Sequence, residues 1–372
     1  MSTVTFLQKK TASIFINLFL VGFTLSLVLI AADRAIHHFL HIPSSYLKSI
    51  VRFDSALSPT KRLKPNLETI ATGDFNEFIF HVHTDAESFR KSYAPALARD
   101  AEVLFLGDSQ TFGIGVSDDE TYASVFAKES GVSVLNTGCP GYNTFEEYRL
   151  LEDLLNRHKP EKIVLGFFAG NDPYENSRYQ MSSDEKGLSN QSPGLNQILT
   201  LSSFKSFLVR NSSIYHLLIR LRRFNFFNDK LKKIGLVNVE RPAELHIFNK
   251  TSAEKTIHWQ RTEEALLKIQ KLAQKKNIPL VVLFIPDRYQ VDKDYWQQWI
   301  QKYSLNPAEY DLNLPNLYLK TFCLQHSILF LDPTEALRQK QSENASVYWK
   351  IDNHLSVVGH EVIVKFLKNR LL

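Results

Sequence analysis

The side chain whose type and position most clearly indicate catalysis is Ser109, in the segment Gly107-Asp108-Ser109. It follows the apolar run Val103–Leu106, which is long enough for a buried strand. A polar turn at the carboxyl end of such a strand is where open α/β sheets place ligands. Ser109 is therefore a candidate nucleophile, near a helix start whose N–H groups favour the oxyanion that serine attack creates. The alternative interpretation is an ordinary strand-to-helix turn, which Asp108 is expected to fix.

Three further polar stretches offer the remaining parts of such a mechanism. Gly138 lies in a loop after the second apolar run, where glycine lets a backbone N–H approach a ligand closely. Asn171 follows the third run and could donate its amide to an oxyanion. His354 is a candidate general base, and Asp352 could hold its imidazole in the right tautomer. Each stretch alone also has a structural interpretation, as a common turn or as helix-capping residues.

Apolar runs that alternate with helical patterns indicate the elements that would position these side chains. The five predicted strands are Glu102–Leu106, Val132–Leu135, Ile163–Phe168, Leu280–Ile285 and Ile328–Leu331. Helices are predicted over Thr144–Leu155, Ala253–Lys275 and Ser356–Leu371, and another opens at Asp118-Asp119-Glu120. The alternation predicts a three-layer α/β/α fold with a central five-stranded, mainly parallel sheet and right-handed crossovers.

The N-terminal part contains a candidate membrane anchor at Ser13–Ala32, a run of twenty residues without charge. At about 1.5 Å per residue it would span a bilayer core of about 30 Å. A cleaved signal peptide is less favoured, because its apolar region should be about 7 to 15 residues and a clear cleavage site is lacking. The expected organisation is a tail at 1–12, a transmembrane anchor at 13–32, a stalk and lead-in at 33–98, and a catalytic domain at 99–372 with an insertion at about 176–251.

Composition excludes some classes of function. The net charge of +5 is mild, and no dense Lys/Arg tract with interleaved aromatics argues for nucleic acid. Cys139 and Cys323 match no zinc spacing, and the sequence does not establish a disulfide between them. No metal or organic cofactor is expected. His81 and His83 would share one face of a predicted edge strand at Phe78–Thr84, but solvated histidines are favoured over a metal pair because no third ligand is near.

Other polar and aromatic residues have competing interpretations. Arg288 follows a strand at the same edge as Ser109 and could bind an anionic group, although a structural ion pair is favoured. His258 and Trp259 are expected to pack in the core rather than form a sugar platform, and His360 is expected at the surface. The basic and aromatic part of the insertion is interpreted as a helical lid, with contact to an anionic membrane as the alternative.

Taken together and in this order, the four polar stretches resemble the conserved blocks of the SGNH (GDSL-type) hydrolase superfamily. That resemblance implies a flavodoxin-like sheet and Ser109 as the nucleophile. It implies His354 as the base and Asp352 as the acid that orients it. It also implies an oxyanion hole built from the Ser109 N–H, the Gly138 N–H and the Asn171 side chain.

The last block departs from the common family pattern, in which the Asp stands three residues before the His. Here Asp352 is two residues before His354. This shorter form resembles membrane-associated SGNH proteins related to alginate-type O-acetyltransferases and other anchored SGNH proteins. The resemblance to that bacterial group, with one N-terminal anchor, implies a single-pass membrane protein whose catalytic domain lies on the periplasmic side.

The function implied by the resemblance is a serine esterase that hydrolyses O-acyl, in particular O-acetyl, esters through an acyl-enzyme. Two alternatives stay open. One is an O-acetyltransferase that moves acetyl groups onto a cell-envelope glycan, with a membrane acyl-donor protein as partner. The other is a non-catalytic glycan-binding protein, whose signature would be the loss of Ser109 or His354. The expected partners are an acylated small molecule, glycan or lipid, and the membrane through residues 13–32.

Overall fold

The computed structural model describes residues 2–39, 47–54, 57–73, 76–92, 101–179, 212–214, 217 and 242–371. The chain forms two compact units, Met1–Ser45 with Asn190–Lys230, and Tyr46–Ser189 with Leu231–Leu372. In the first unit, helix α1 covers Ser2–Phe39. Its stretch Phe19–Ile36 is long and apolar enough to cross a membrane, a property that a signal sequence shares. Most of the predicted lid lies outside the described residues.

The second unit contains nine strands and the helices that flank them in the described part of the chain. The strands are β1 (Val51–Phe53), β2 (Lys61–Leu63), β3 (Glu68–Thr72), β4 (Ile79–His83), β5 (Val103–Gly107), β6 (Val134–Asn136), β7 (Lys162–Phe168), β8 (Leu280–Ile285) and β9 (Leu329–Leu331). The helices are α2 (Leu47–Ile50), α3 (Ser109–Phe112), α4 (Tyr122–Ser130), α5 (Thr144–Leu154), α6 (Asp172–Arg178), α7 (Glu254–Lys275), α8 (Arg288–Val291), α9 (Lys293–Tyr303), α10 (Leu314–Gln325), α11 (Thr334–Ser342) and α12 (Val357–Leu371).

The central sheet has the strand order β6-β5-β7-β8-β9, and every pairing in it is parallel. Alternate residues of β5 enter two separate cores. Val103 and Phe105 pack with α4 and α12 on one face, whereas Leu104 and Leu106 pack with α5 and α7 on the other. Because both faces are covered, the strands are continuous apolar runs rather than alternating ones. The predicted three-layer fold with a five-stranded parallel sheet is confirmed.

Two small antiparallel sheets precede the central sheet, β1 with β2 and β3 with β4. Strand β4 is the predicted edge strand, and it pairs with β3 from Thr72↔Ile79 to Glu68↔His83. Phe80 and Val82 of β4 are fully buried in the same core as α5 and α7. The lead-in therefore packs into the unit that contains the sheet.

One helix begins later than its acidic residues indicate. Helix α4 starts at Tyr122 after the N-cap Thr121, whose side chain accepts a hydrogen bond from the Ser124 N–H. The acidic residues act in the preceding loop instead. Glu120 accepts from the Ser117 N–H at 2.7 Å, and Asp118 bonds two side chains from other parts of the chain.

Arg90 is one of those two partners, and it is almost completely buried, with 1% of its surface exposed. Each of its five N–H groups has an acceptor. The acceptors are Asp118 Oδ1 (2.8 Å) and the carbonyls of Phe112 (2.7 Å), Gly113 (2.6 Å), Val116 (2.7 Å) and His81 (3.0 Å). Arg90 thus ties the end of helix α3 to strand β4 and to the loop before α4.

The substitution Arg90→Met tests this connection. It would leave four carbonyls and one carboxylate without their buried donor, so we expect a loss of about 3–5 kcal/mol in the free energy of unfolding. Arg149→Met is the matched control, because Arg149 pairs with Glu152 at the surface and should contribute less than about 1 kcal/mol. Urea unfolding of the full chain in detergent measures both. Equal losses in the two variants would contradict the role given to Arg90.

Candidate active site

Ser109 lies at the carboxyl end of β5, as the first residue of helix α3. Asp108 caps this helix, since its Oδ1 accepts from the Gln110 N–H at 2.8 Å. The turn needs glycine at position 107, because a Cβ there would meet Thr111 Oγ1 at 2.0 Å. The sharp turn brings Ser109 to the edge of the sheet while its side chain stays mostly covered.

His354 reaches Ser109 from a loop 245 residues later in the chain. Its Nε2 lies 2.8 Å from Ser109 Oγ, and its Nδ1 bonds Asp352 Oδ1. A carboxylate only accepts, so Nδ1 carries the hydrogen and Nε2 is left as an acceptor for the serine hydroxyl. The same Asp352 oxygen also accepts from the His354 backbone N–H at 2.9 Å. This backbone bond accounts for how an acid only two residues before the histidine can reach its ring.

The other two candidate donors lie in loops that contact the nucleophile helix. A Cβ on Gly138 would come within 2.3 Å of the Phe112 nitrogen, so the loop packs directly on helix α3. In this structure the Gly138 N–H donates to Asn136 Oδ1 at 3.0 Å. Asn171 Nδ2 donates to Asp108 Oδ2 at 3.2 Å, and that bond uses one of its two amide hydrogens.

The loop that carries the histidine is held by side chains from three other parts of the chain: Glu77 before β4, Arg288 in α8 and Tyr295 in α9. The Glu77 carboxylate accepts from the N–H groups of Ile351 (2.8 Å) and Asp352 (3.0 Å). Arg288 donates to the carbonyls of Trp349 (2.9 Å) and Lys350 (2.6 Å), and Tyr295 donates to Asn353 Oδ1 (3.0 Å). Sequence reasoning missed Glu77 and Tyr295, because no local pattern links them to a loop so far away.

Arg288 has a structural role in this loop. Its Nε and Nη2 bond Asp292 Oδ2 at 3.1 and 3.0 Å, and its guanidinium lies 4.1 Å from the centre of the Tyr295 ring. The structural ion pair favoured from the sequence is therefore present.

His258 and Trp259 pack in the interior, as expected. His258 Nδ1 bonds Ser177 Oγ at 2.8 Å, and Trp259 stacks on Tyr318 at 4.3 Å between ring centres. His83 bonds Asp118 at 2.6 Å, and this hydrogen bond raises its pKa. In the described part of the chain, no group of three or more His, Cys, Asp or Glu side chains could hold a metal ion. Cys139 and Cys323 are both buried free thiols.

The expectation that His360 lies at the surface is wrong. It is 1% exposed, its Nδ1 accepts from the Tyr122 N–H at 3.0 Å, and its ring stacks on that of Tyr122. It belongs to the apolar stripe by which α12 packs on α4. Burial lowers its pKa to about 3, so the imidazole is neutral in the folded protein.

A group of buried carboxyls lies behind the nucleophile. Burial raises the pKa of Asp108, and it raises those of Glu147 and Asp172 well above their usual range. Asp172 accepts from the Phe168 N–H at 2.8 Å. The charge of Asp108 also disfavours ionisation of Glu147 and Asp172, whereas the hydrogen bonds from the Gln110 N–H and the Asn171 amide oppose the effect of burial on the pKa of Asp108.

Comparison with models of known families finds no match, and neither does comparison with curated proteins. Solved structures do match. A member of the lipolytic G-D-S-L family from Veillonella parvula has 12% identity over 73% of this chain and 97% of its own, with a TM-score of 0.38. An acetyl xylan esterase, AlAXEase, has 14% identity over 73% and 99%, with a TM-score of 0.38. The esterase EstA from Pseudoalteromonas has 11% identity over 72% and 95%, with a TM-score of 0.35.

The chain is thus similar, at low identity, to solved structures of a lipolytic G-D-S-L protein and of two esterases. The narrower resemblance to membrane-anchored relatives of alginate-type O-acetyltransferases stays a prediction.

The buried His360 makes stability depend on pH. The unfolded chain takes up a proton near pH 6.5 and the folded chain does not, so stability present above pH 6.5 is lost as pH falls towards 3. Between pH 7.5 and 5.0 we expect the wild type to lose about 2 kcal/mol more than His360→Asn, whose Oδ1 takes the place of Nδ1 as the acceptor for the Tyr122 N–H. The carboxyls are common to both proteins and cancel in the difference. Urea unfolding at the two pH values checks this, and equal losses would contradict it.

Proposed function

We propose that the protein is a serine ester hydrolase in which Ser109 is the nucleophile, His354 the general base and Asp352 the acid that orients the base. One observation carries the proposal. The ring of His354 lies between Ser109 Oγ, 2.8 Å from its Nε2, and the Asp352 carboxylate on its Nδ1. A nucleophile bonded to a base that is oriented by a third group is the arrangement that activates a serine hydroxyl.

The reaction follows from these contacts. Ser109 Oγ attacks the acyl carbonyl while His354 Nε2 takes its proton, and Asp352 stabilises the imidazolium that forms. The tetrahedral intermediate collapses, His354 protonates the departing alcohol oxygen, and an acyl-enzyme remains on Ser109. Water, activated by the same imidazole, then attacks the acyl-enzyme and releases the acid and the free serine.

We assign the oxyanion hole to the Ser109 N–H, the Gly138 N–H and the Asn171 amide. The bond from Asn171 to Asp108 Oδ2 fixes the plane of the amide and leaves its second hydrogen for the oxyanion. The Gly138 N–H already donates to Asn136 Oδ1. It would therefore donate to the oxyanion through a three-centre hydrogen bond or after a small shift of the loop. Asn171 is therefore the stronger donor of the two.

The substrate proposed is an O-acyl, in particular an O-acetyl, ester on a small molecule, glycan or lipid. The proposed location is the periplasmic side of a membrane, with helix α1 as the anchor. The support for the location is the apolar stretch Phe19–Ile36 and the sequence resemblance to anchored proteins.

The first test is acetyl release from a chromogenic acetyl ester by the full chain in detergent. We expect Ser109→Ala to lower kcat by about 10³ or more, because it removes the nucleophile. Ser130→Ala is the matched control, since Ser130 Oγ bonds local backbone at the end of helix α4, donating to the Phe126 carbonyl and accepting from the Val132 N–H, and it should keep the wild-type rate. A glycan acceptor is added in a parallel reaction. Acetyl found on the glycan by mass spectrometry would show that the protein is a transferase and not a hydrolase. Equal rates for wild type and Ser109→Ala would contradict both enzyme functions and favour the glycan-binding alternative.

The second test concerns the oxyanion. Asn171→Ala removes one donor, so we expect kcat to fall by about 10²–10³ when chemistry limits turnover. Asn306→Ala, at an exposed 3₁₀-helix cap, is the control and should leave kcat unchanged. Steady-state kinetics measures both, and an unchanged kcat for Asn171→Ala would remove Asn171 from the mechanism.

A further inference from the structure

Gln110, the residue directly after Ser109, holds the loop on both sides of His354. Its Nε2 donates to the Asn353 carbonyl at 3.1 Å, and its Oε1 accepts from the Leu355 N–H at 3.1 Å. Gln110 is 1% exposed and Leu355 is fully buried. The side-chain amide of Gln110 therefore donates one hydrogen bond and accepts one from the backbone on the two sides of His354, as the backbone of a paired β-strand does.

We propose that Gln110 is a positioning residue that sets the distance between Ser109 Oγ and His354 Nε2. This proposal rests on the proposed function of the same site. Gln110 and Ser109 are adjacent in helix α3, so the peptide groups on each side of His354 are tied to the nucleophile's own helix. A rigid planar amide with two bonds fixes both the separation and the orientation of the loop, which a single bond would not do.

His354 lies before the start of α12 at Val357, beside an isolated antiparallel bridge between Tyr348 and Leu355. The His354 carbonyl accepts from the Trp349 N–H at 3.1 Å, but this backbone bond stays within the same segment and does not tie it to helix α3. The contacts of Glu77 and Arg288 reach only the part of the loop before His354. Among the described residues, Gln110 is the side chain that bonds the backbone on both sides of the base.

The other end of the tether is fixed as well. The Gln110 backbone N–H is bonded to Asp108 Oδ1, and the far end of helix α3 is held by Arg90. A displacement of about 1 Å at a catalytic group can cost about 10² in rate. The buried amide of Gln110 therefore acts on turnover through the geometry of His354.

The experiment compares Gln110→Met with Gln270→Met. Methionine keeps the volume of glutamine but removes both hydrogen bonds. Gln270 is the matched control, because it is also buried and also donates to a backbone carbonyl, that of His326, away from the proposed machinery. Three quantities are measured for each full-length protein in detergent: kcat and KM for a chromogenic acetyl ester, the rate of phosphonylation by a fluorophosphonate, and the thermal unfolding midpoint.

The fluorophosphonate reports on Ser109 without an acyl substrate, since Ser109 Oγ displaces fluoride from phosphorus and its proton passes to His354. We expect Gln110→Met to lower kcat and the phosphonylation rate by about 10- to 100-fold with KM within about twofold. Gln270→Met should lose a similar amount of thermal stability and keep both rates. A merely structural role for Gln110 would make the two variants alike.

Wild-type phosphonylation and turnover in a folded Gln110→Met protein would overturn the positioning role alone. Wild-type protein that neither hydrolyses the ester nor reacts with the fluorophosphonate would overturn the proposed function, and this proposal with it. If Gln110→Met does not fold, Gln110→Asn decides, because its amide is one methylene too short to reach both partners. A folded Gln110→Asn protein should show the same loss of both rates, and unchanged rates would overturn the proposal.

Discussion

The burial of one guanidinium, that of Arg90, is the constraint on which the site depends. A charge of this kind is costly to remove from water unless every donor is satisfied. Here all five are, and their acceptors come from strand β4, the end of helix α3 and the loop before α4. Burial lowers the pKa of Arg90, yet a guanidinium stays protonated in proteins. All five of its N–H groups therefore still need hydrogen-bond acceptors. The position of the nucleophile helix is thereby set by a segment outside the central sheet.

Electrostatics around the nucleophile follow from burial rather than from the formal charges. Asp108, Glu147 and Asp172 would oppose an oxyanion if all three were ionised at this depth. Burial favours their neutral forms, and Glu175, nearer the surface, has its pKa raised to about 7 by the same cause. An acidic composition around Ser109 is thus compatible with negative charge in the transition state.

The sequence was informative where chemistry and periodicity are local. Each strand of the central sheet coincides largely with an apolar run, and each candidate site residue follows a strand or precedes the last helix. Long-range polar contacts left no such trace. Arg90, Glu77 and Gln110 bond partners that are distant in the chain, and no spacing announces them. His360 was misjudged although a signal existed, because it lies three, four and seven residues before Ile363, Val364 and Leu367 on the buried stripe of α12. The surface prediction gave more weight to the polar side chain of His360 than to its position on the helix.

The two-residue spacing between Asp352 and His354 has a mechanical consequence. One carboxylate oxygen bonds both the ring and the backbone N–H of the histidine, which closes a small cycle within three consecutive residues. The acid and the base therefore travel as a single rigid body. A movement of their loop away from Ser109 would leave the imidazole tautomer and its partner intact, and it would break the contact with the hydroxyl together with the two bonds from Gln110. Whether the triad is assembled then depends on one distance, that between Ser109 Oγ in helix α3 and His354 Nε2 in the loop.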